Sequence, residues 1–388
     1  MKGKRTRACR EVGSESRRIR ALDILRGFAI FGIIVVHLNS RALAASGEGG
    51  LSSRLIELLV TEKSRTIFGI LFGASFALQL ARAEDRGDRF VWPFLRRVLA
   101  LAAFGLVDWT FGYNVLMGYA LPAPLLLVVR RWPVRALVPT LIVCAMWGGL
   151  SREVLPQWTN LNQSISVETA RAVAIGSEHS QSSGLRAVVA ARWRHNLQLD
   201  VGRPGAFLIL HDGLTLFLIG LLGLRLGVWD RPRDHRRLIA TFMVYGAVSW
   251  AMALFVAPAD WAWGLIASRW LVFTYVGAVL LMDCSGSGDR HLSLIGSAGR
   301  TALSHYLIQL VVIAVVFGRY GIGLVLPPAL VPGVALAFFV LLAVCSRWWL
   351  KRFRIGPAEW VLRSATHARL QPMRWPVPGA DAASSIRP

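Results

Sequence analysis

Apolar residues run through this chain in long stretches with few polar interruptions. From Ala21 to Asn39 the sequence reads ALDILRGFAIFGIIVVHLN. At 1.5 Å of rise per residue, such a helix crosses most of a hydrocarbon layer roughly 30 Å thick. Similar stretches recur, and they predict spans at about 22–38, 66–82, 94–112, 114–129, 134–150, 206–226, 238–257, 262–282, 303–318 and 325–346. The expected fold class is therefore all-α, a polytopic integral-membrane bundle of about ten transmembrane helices. Two segments depart from the pattern. In LSSRLIELL, Leu51, Leu55, Leu58 and Leu59 recur at helical spacing, which predicts a short amphipathic helix on the outer interface. Residues 151–205 form a large polar insertion. Within it SVETARAVAIGS reads as helical, HSQSSG breaks the helix, and LRAVVAARWRHNLQLD resumes it. A polar loop of that length reads as a lid or binding element. The expected domains are a basic cytoplasmic tail (1–20), one transmembrane domain (21–362) containing the extracytoplasmic helical loop 151–205, and a cytoplasmic tail (363–388).

Composition supports that reading. Of 388 residues, 54% are hydrophobic and 17% charged, more apolar sequence than soluble domains of this length require. The net charge of +22 could suggest nucleic acid, but its placement argues otherwise. Most Lys and Arg fall in 1–20, 82–97, 130–135, 229–237, 283–302 and 346–388, alternate connections that become cytoplasmic together when both termini are inside. The surplus is thus a topology signal, with attraction to anionic lipid as a by-product and no nucleic-acid partner expected. No cleaved secretory signal is expected before the first span. Cys9, Cys144, Cys284 and Cys345 are scattered, so neither a disulfide frame nor a metal site is expected. The preference for Arg over Lys points to a GC-rich bacterial source and hence to the bacterial plasma (inner) membrane. No internal repeat speaks for an inverted-repeat transporter, and a homo-oligomer is compatible with the sequence.

Ionisable residues inside apolar helices are the candidates for chemistry, because they are costly unless paired or used. Arg26 and His37 stand eleven residues apart, close to three turns, on one helix face and about 16 Å apart along the axis. Asp23, three before Arg26, can pair with it. A bland reading serves equally well from position alone, with an interfacial ion pair at one end and a capping histidine at the other. His211 and Asp212 head the sixth span. Arg269 lies inside the eighth and needs a partner, for which Asp260 is distant. His305 and Gln309 face one side of the ninth, where hydrogen bonding between helices explains them as well as substrate binding does. Asn114 reads as structural, and Trp109, Trp158, Trp261, Trp263, Trp348 and Trp349 as interface anchors.

The basic residue, ten intervening residues and histidine of RIRALDILRGFAIFGIIVVHLN resemble the first helix of the acyltransferase 3 superfamily. The rest of the chain is most similar to the YeiB-like family, domain of unknown function 418. LDILRGFA (22–29), FGILFGASF (68–76), GRTALSHYLIQ (299–309) and FRIGPAEW (353–360) match that family's motifs in order. Heparan-α-glucosaminide N-acetyltransferase is a more distant likeness. Against the family pattern, His37 replaces an asparagine, Asp108 stands where a histidine is usual, Asn114 replaces an aspartate, and His305 replaces an asparagine.

The resemblance implies acyl transfer across a membrane from cytosolic acyl-CoA, acetyl-CoA by likeness, to an unidentified extracytoplasmic acceptor. Arg26 with Asp23, and Arg96, Arg97, Arg300 and Arg354, would then hold the phosphates. The pantetheine arm would reach His37 along a shared channel, and His37 would act as general base or acyl carrier, oriented by Asp108. His211, Asp212, Arg269, His305 and Gln309 would bind the acceptor. A carrier or flippase using the same channel without chemistry is the competing expectation. A regulatory role in an envelope complex has no positive signal.

Overall fold

A computed structural model describes residues 19–47, 50–154, 185–201, 203–256, 269–285, 289–318 and 321–375. Among these residues the regular structure is helical, apart from one isolated bridge between Phe353 and Arg374. The helices are α1 (Arg20–Ser46), α2 (Leu51–Leu59), α3 (Lys63–Asp85), α4 (Val91–Thr110), α5 (Leu116–Ala120), α6 (Leu125–Val129), α7 (Val134–Val154), α8 (Leu185–Val201), α9 (Arg203–Arg225), α10 (Arg236–Val256), α11 (Leu271–Ser285), α12 (Asp289–Arg300), α13 (Ala302–Phe317), α14 (Val331–Arg352) and α15 (Pro357–His367). The predicted helical stretch at 166–177, Asp260, Trp158, Trp261, Trp263, most of the N-terminal tail and residues 376–388 lie outside the described residues.

Among the described residues, three runs are long and apolar enough to cross a membrane: Arg20–Ser46, Leu51–Asp85 and Pro328–Arg352. A fourth arises if Leu292–Arg300 and Ala302–Phe317, bent by 80° about Thr301, form one broken span. The ten-span expectation is thus met in helical class, while length and composition qualify three or four. The predicted span 114–129 departs most. It forms two five-residue helices, because Pro122 and Pro124 fall where an uninterrupted helix would need backbone donors.

α1 lies at the centre, buried along its length from Ala21 to Ala42 and packed against α3, α11, α12, α13 and α14. Two crossings explain the glycines of the sequence motifs. A Cβ at Gly299 of α12 would collide with the Asp23 carbonyl oxygen of α1, and one at Gly27 with the Ile295 carbonyl. Likewise, Gly73 of α3 faces the Phe217 backbone of α9, and Gly220 faces Ile70 and Ala74. Small residues at such crossings let the backbones approach closely, which is how helices gain contact area in lipid. On the outside, α14 exposes Leu336, Val340, Leu341, Val344 and Trp348, and α10 exposes Phe242, Val244, Val248 and Met252. Such surfaces suit contact with acyl chains. α2 also turns its leucines outward, Leu51 being 75% exposed, while Ser53 and Ile56 face inward.

Candidate polar site around His37

The lower end of α1 is a satisfied pair. Arg26 Nη1 donates to Asp23 Oδ1 at 2.7 Å, and its Nη2 donates to Ser75 Oγ of α3 at 2.6 Å. Arg97 of α4 lies within electrostatic reach of Arg26. The other predicted phosphate ligands do not join them. Arg96 is exposed, and Arg300 donates to the Arg354 carbonyl at 3.2 Å. Nor is the α1 face between Arg26 and His37 a polar lining. Ile30, Ile33 and Ile34 fill it, buried in the aliphatic core, so the shared channel expected from the helix spacing is closed by packed side chains.

His37 sits in a different setting. It is 5% exposed and stacked on Tyr113, with ring centroids 3.7 Å apart, and Tyr306 of α13 approaches at 6.0 Å. Tyr306 donates its hydroxyl to Asp108 Oδ1 at 2.6 Å. The other Asp108 oxygen accepts from the amides of Val115 and Leu116 at 2.8 and 3.2 Å, so the carboxyl ties the end of α4 to the turn that carries Tyr113. The expected orientation of the imidazole by Asp108 is therefore replaced by a relay. Asp108 holds Tyr306, and Tyr306 faces the imidazole. Several polar atoms here are buried without a hydrogen-bond partner: His37 Nδ1, Tyr113 Oη, Arg41 Nε and both amide atoms of Gln309. Gln309 is three residues beyond Tyr306 and so lies on its helix face. Buried polar groups are nearly always paired, and a concentration of exceptions marks a place where something else binds.

His305 differs from Gln309. Its Nε2 shares hydrogen bonds with Ser346 Oγ at 2.5 Å and Thr301 Oγ1 at 3.3 Å, joining α13 to α14, although its Nδ1 is unpartnered. Trp109 is not an interface anchor. It is 4% exposed, set edge-on to Trp193 and bonded to Asn114 at 3.4 Å.

A second polar group gathers residues from α3, α9, the α2–α3 junction and the segment before α11. Arg269 Nη1 reaches Asp212 Oδ1 of α9 at 2.5 Å, and its Nη2 lies 3.5 Å from Glu62 Oε2. Arg65 of α3 binds the same Glu62 oxygen at 2.7 Å and lies 3.6 Å from Asp212. Two acids thus balance two arginines, which supplies the partners the sequence required for Arg269. Glu62 adopts φ +66°, in the left-handed region, at the junction of α2 and α3. His211, beside Asp212, turns instead toward the Cys144 carbonyl of α7. Tyr119 connects the two groups, donating to the Arg65 carbonyl at 2.7 Å and lying within electrostatic reach of Asp108 and Tyr306.

The GPAEW motif has a structural role. Glu359 of α15 accepts from the amides of Leu303 and Ser304 at 2.7 and 3.2 Å and from the Ser304 hydroxyl at 2.5 Å, capping the start of α13 from outside that helix. Burial pushes its carboxyl above the ordinary range, while these donors pull it down.

Comparison with known proteins fits a full-length relationship. Residues 224–369 match the family described as Protein of unknown function (DUF418). The chain is 28% identical over 389 residues to the uncharacterized protein YxaH of Bacillus subtilis (strain 168), covering 92% of this chain and 96% of that protein. An uncharacterized 39.9 kDa protein from the amylase 3′ region of Bacillus acidopullulyticus is 26% identical over 362 residues, with the same coverage of both chains. The uncharacterized protein YeiB of Escherichia coli (strain K12) is 23% identical over 391 residues, covering 89% of this chain and 95% of that protein. No solved structure matches. The chain is thus similar to YeiB over most of its length and matches the DUF418 model over residues 224–369.

Proposed function

We propose that this protein is a multi-pass acyltransferase of the bacterial plasma membrane, moving an acyl group, acetyl in the simplest case, from cytosolic acyl-CoA to an extracytoplasmic acceptor. The acceptor is a hydroxyl or amine of a sugar, glycolipid or envelope component. In this reading residues 21–362 form the transmembrane domain, about ten helices cross the bilayer, and both termini are cytoplasmic. The observation that carries it is the His37 imidazole, buried with Nδ1 unpartnered, stacked on Tyr113 and faced by the Tyr306–Asp108 pair. A neutral imidazole takes the proton of the acceptor hydroxyl, the oxygen attacks the thioester carbonyl, the C–S bond breaks, and the CoA thiolate leaves. Tyr306, held by Asp108, positions the imidazole or donates to the developing oxyanion. Arg26 and Arg97 form the cationic mouth for the CoA phosphates. Ile30, Ile33 and Ile34 must part from their neighbours before the pantetheine arm can pass.

That same aliphatic layer favours a second reading, a gated carrier whose inner and outer polar regions never open together. Proteoliposomes containing the full chain and acetyl-labelled acetyl-CoA separate the two. Acyl transfer predicts release of free CoA thiol that His37→Ala lowers at least about a hundredfold, the usual weight of a general base. Release of thiol unchanged in His37→Ala, or no release with any acceptor, contradicts it.

A further inference from the structure

We infer that His37, Arg41 and Tyr113 form a binding site for an oxyanion, the phosphate or carboxylate of the acceptor. The sidedness of this site rests on the reading above. Arg41 follows His37 by four residues, one turn along the same face of α1. Its guanidinium carbon lies 6.0 Å from the centroid of the Tyr113 ring that stacks on His37. Each of the three side chains has a buried polar atom without a partner: Nε of Arg41, Oη of Tyr113 and Nδ1 of His37. His37 and Tyr113 are only 5% and 6% exposed.

Charge distinguishes this site from a pocket that water alone would complete. Three other arginines of the bundle have acids: Arg26 has Asp23, and Arg65 and Arg269 share Glu62 and Asp212. Arg41 has no carboxylate partner among the described residues, and Asp108 is committed to Tyr306 and two backbone amides. A further cation sits on the same turn. Arg192 of α8 donates to the Thr110 carbonyl at 3.0 Å, and Gly112, at φ +84°, leaves it room, since a Cβ there would come 3.3 Å from Arg192 Nε. Guanidinium groups with a phenol and an imidazole offer the donors that phosphate and carboxylate accept. An uncharged acceptor would leave the buried Nε of Arg41 without the acceptor it lacks within the protein. The residue one turn from the proposed base would thus select for an anionic acceptor.

The test uses the full chain in phosphatidylcholine nanodiscs without acyl-CoA. Binding of radiolabelled glycerol 3-phosphate and glucuronate is compared with that of glycerol and glucose. At least one anion is expected to bind while the neutral compounds do not. Arg41→Gln should weaken it about tenfold or more, as loss of one charge-assisted contact does. Arg41→Lys should keep most of the affinity, and Arg54→Gln, an equal charge change on exposed α2, should leave it unaltered. Tyr113→Phe gives a second reading should Arg41→Gln fail to fold, with a few-fold loss expected. Phosphatidylglycerol nanodiscs then identify the source: competition against glycerol 3-phosphate assigns the site to a lipid headgroup, and persistence to a soluble phosphate. Equal binding of anions and neutral compounds, absence of any binding, or wild-type affinity in Arg41→Gln and Tyr113→Phe overturns the proposal. Anion binding without thiol release would remove acyl transfer and leave the site standing, and thiol release without anion binding would do the reverse.

Discussion

The two ends of α1 carry its ionisable residues, yet they are built on opposite principles. At Arg26 the guanidinium has its answer: Asp23 and Ser75 accept from it, and Gly27 and Gly299 let α12 press against the backbone. At the other end His37 Nδ1, Arg41 Nε and Tyr113 Oη are buried and unanswered, and both amide atoms of Gln309 of α13 share that state. Polar groups that satisfy one another hold a membrane protein together. Groups left unsatisfied cost stability and are retained where they meet a ligand. The comparison therefore places the proposed acid–base chemistry at the His37 end and leaves the Arg26 end a paired cation that joins helices and, in the proposed reading, meets the CoA phosphates.

The largest effect that could break this contrast is at the α1–α12 crossing. Gly299→Val should destabilise the full chain by about 3 kcal/mol or more, because the side chain would have to displace the Asp23 backbone rather than a flexible group. Thermal unfolding in detergent measures it, and a wild-type midpoint would remove the close crossing. Glu359→Ala should cost about 1–2 kcal/mol by removing the cap on α13. At Gln309 the sign should reverse. Gln309→Leu fills the same volume without two orphaned atoms and should stabilise the protein by about 1 kcal/mol while reducing turnover. A fall in stability would show that Gln309 has a partner after all. The smallest effect is a pH dependence. Burial raises the Glu359 carboxyl in the folded chain, so the folded state holds its proton more tightly than the unfolded chain does. Its contribution to stability is full below about pH 4.3, the ordinary carboxyl value, and fades as pH rises through the higher folded value. Glu359→Gln, which stays neutral, should flatten that part of the stability profile.

Much of the frame was legible in order. Hydrophobic runs located the helices, and the three-residue spacing of Asp23 and Arg26 foretold their ion pair. The prolines at 122 and 124 also announced the break between α5 and α6, but hydropathy over 114–129 masked it. The need for an acid near Arg269 was visible, whereas its identity was not, since Glu62 and Asp212 come from remote elements. Arg41 and Tyr113 escaped notice for a related reason. A basic residue beyond a span and an aromatic near a boundary look like ordinary anchors, and being unpartnered is a property of tertiary packing that no spacing encodes.

Two buried tyrosines test the central claim directly. Tyr306 is 3% exposed and donates its hydroxyl to Asp108, while Tyr113 is 6% exposed and its hydroxyl has no partner. Removing one oxygen from each, with Tyr306→Phe and Tyr113→Phe, changes volume alike and hydrogen bonding oppositely. Thermal unfolding of the two variants should show Tyr306→Phe destabilised by about 1–3 kcal/mol. Tyr113→Phe should unfold at or above the wild-type midpoint. Equal destabilisation by both would mean that the His37 end is as fully satisfied as the Arg26 end, and the assignment of chemistry to it would fail.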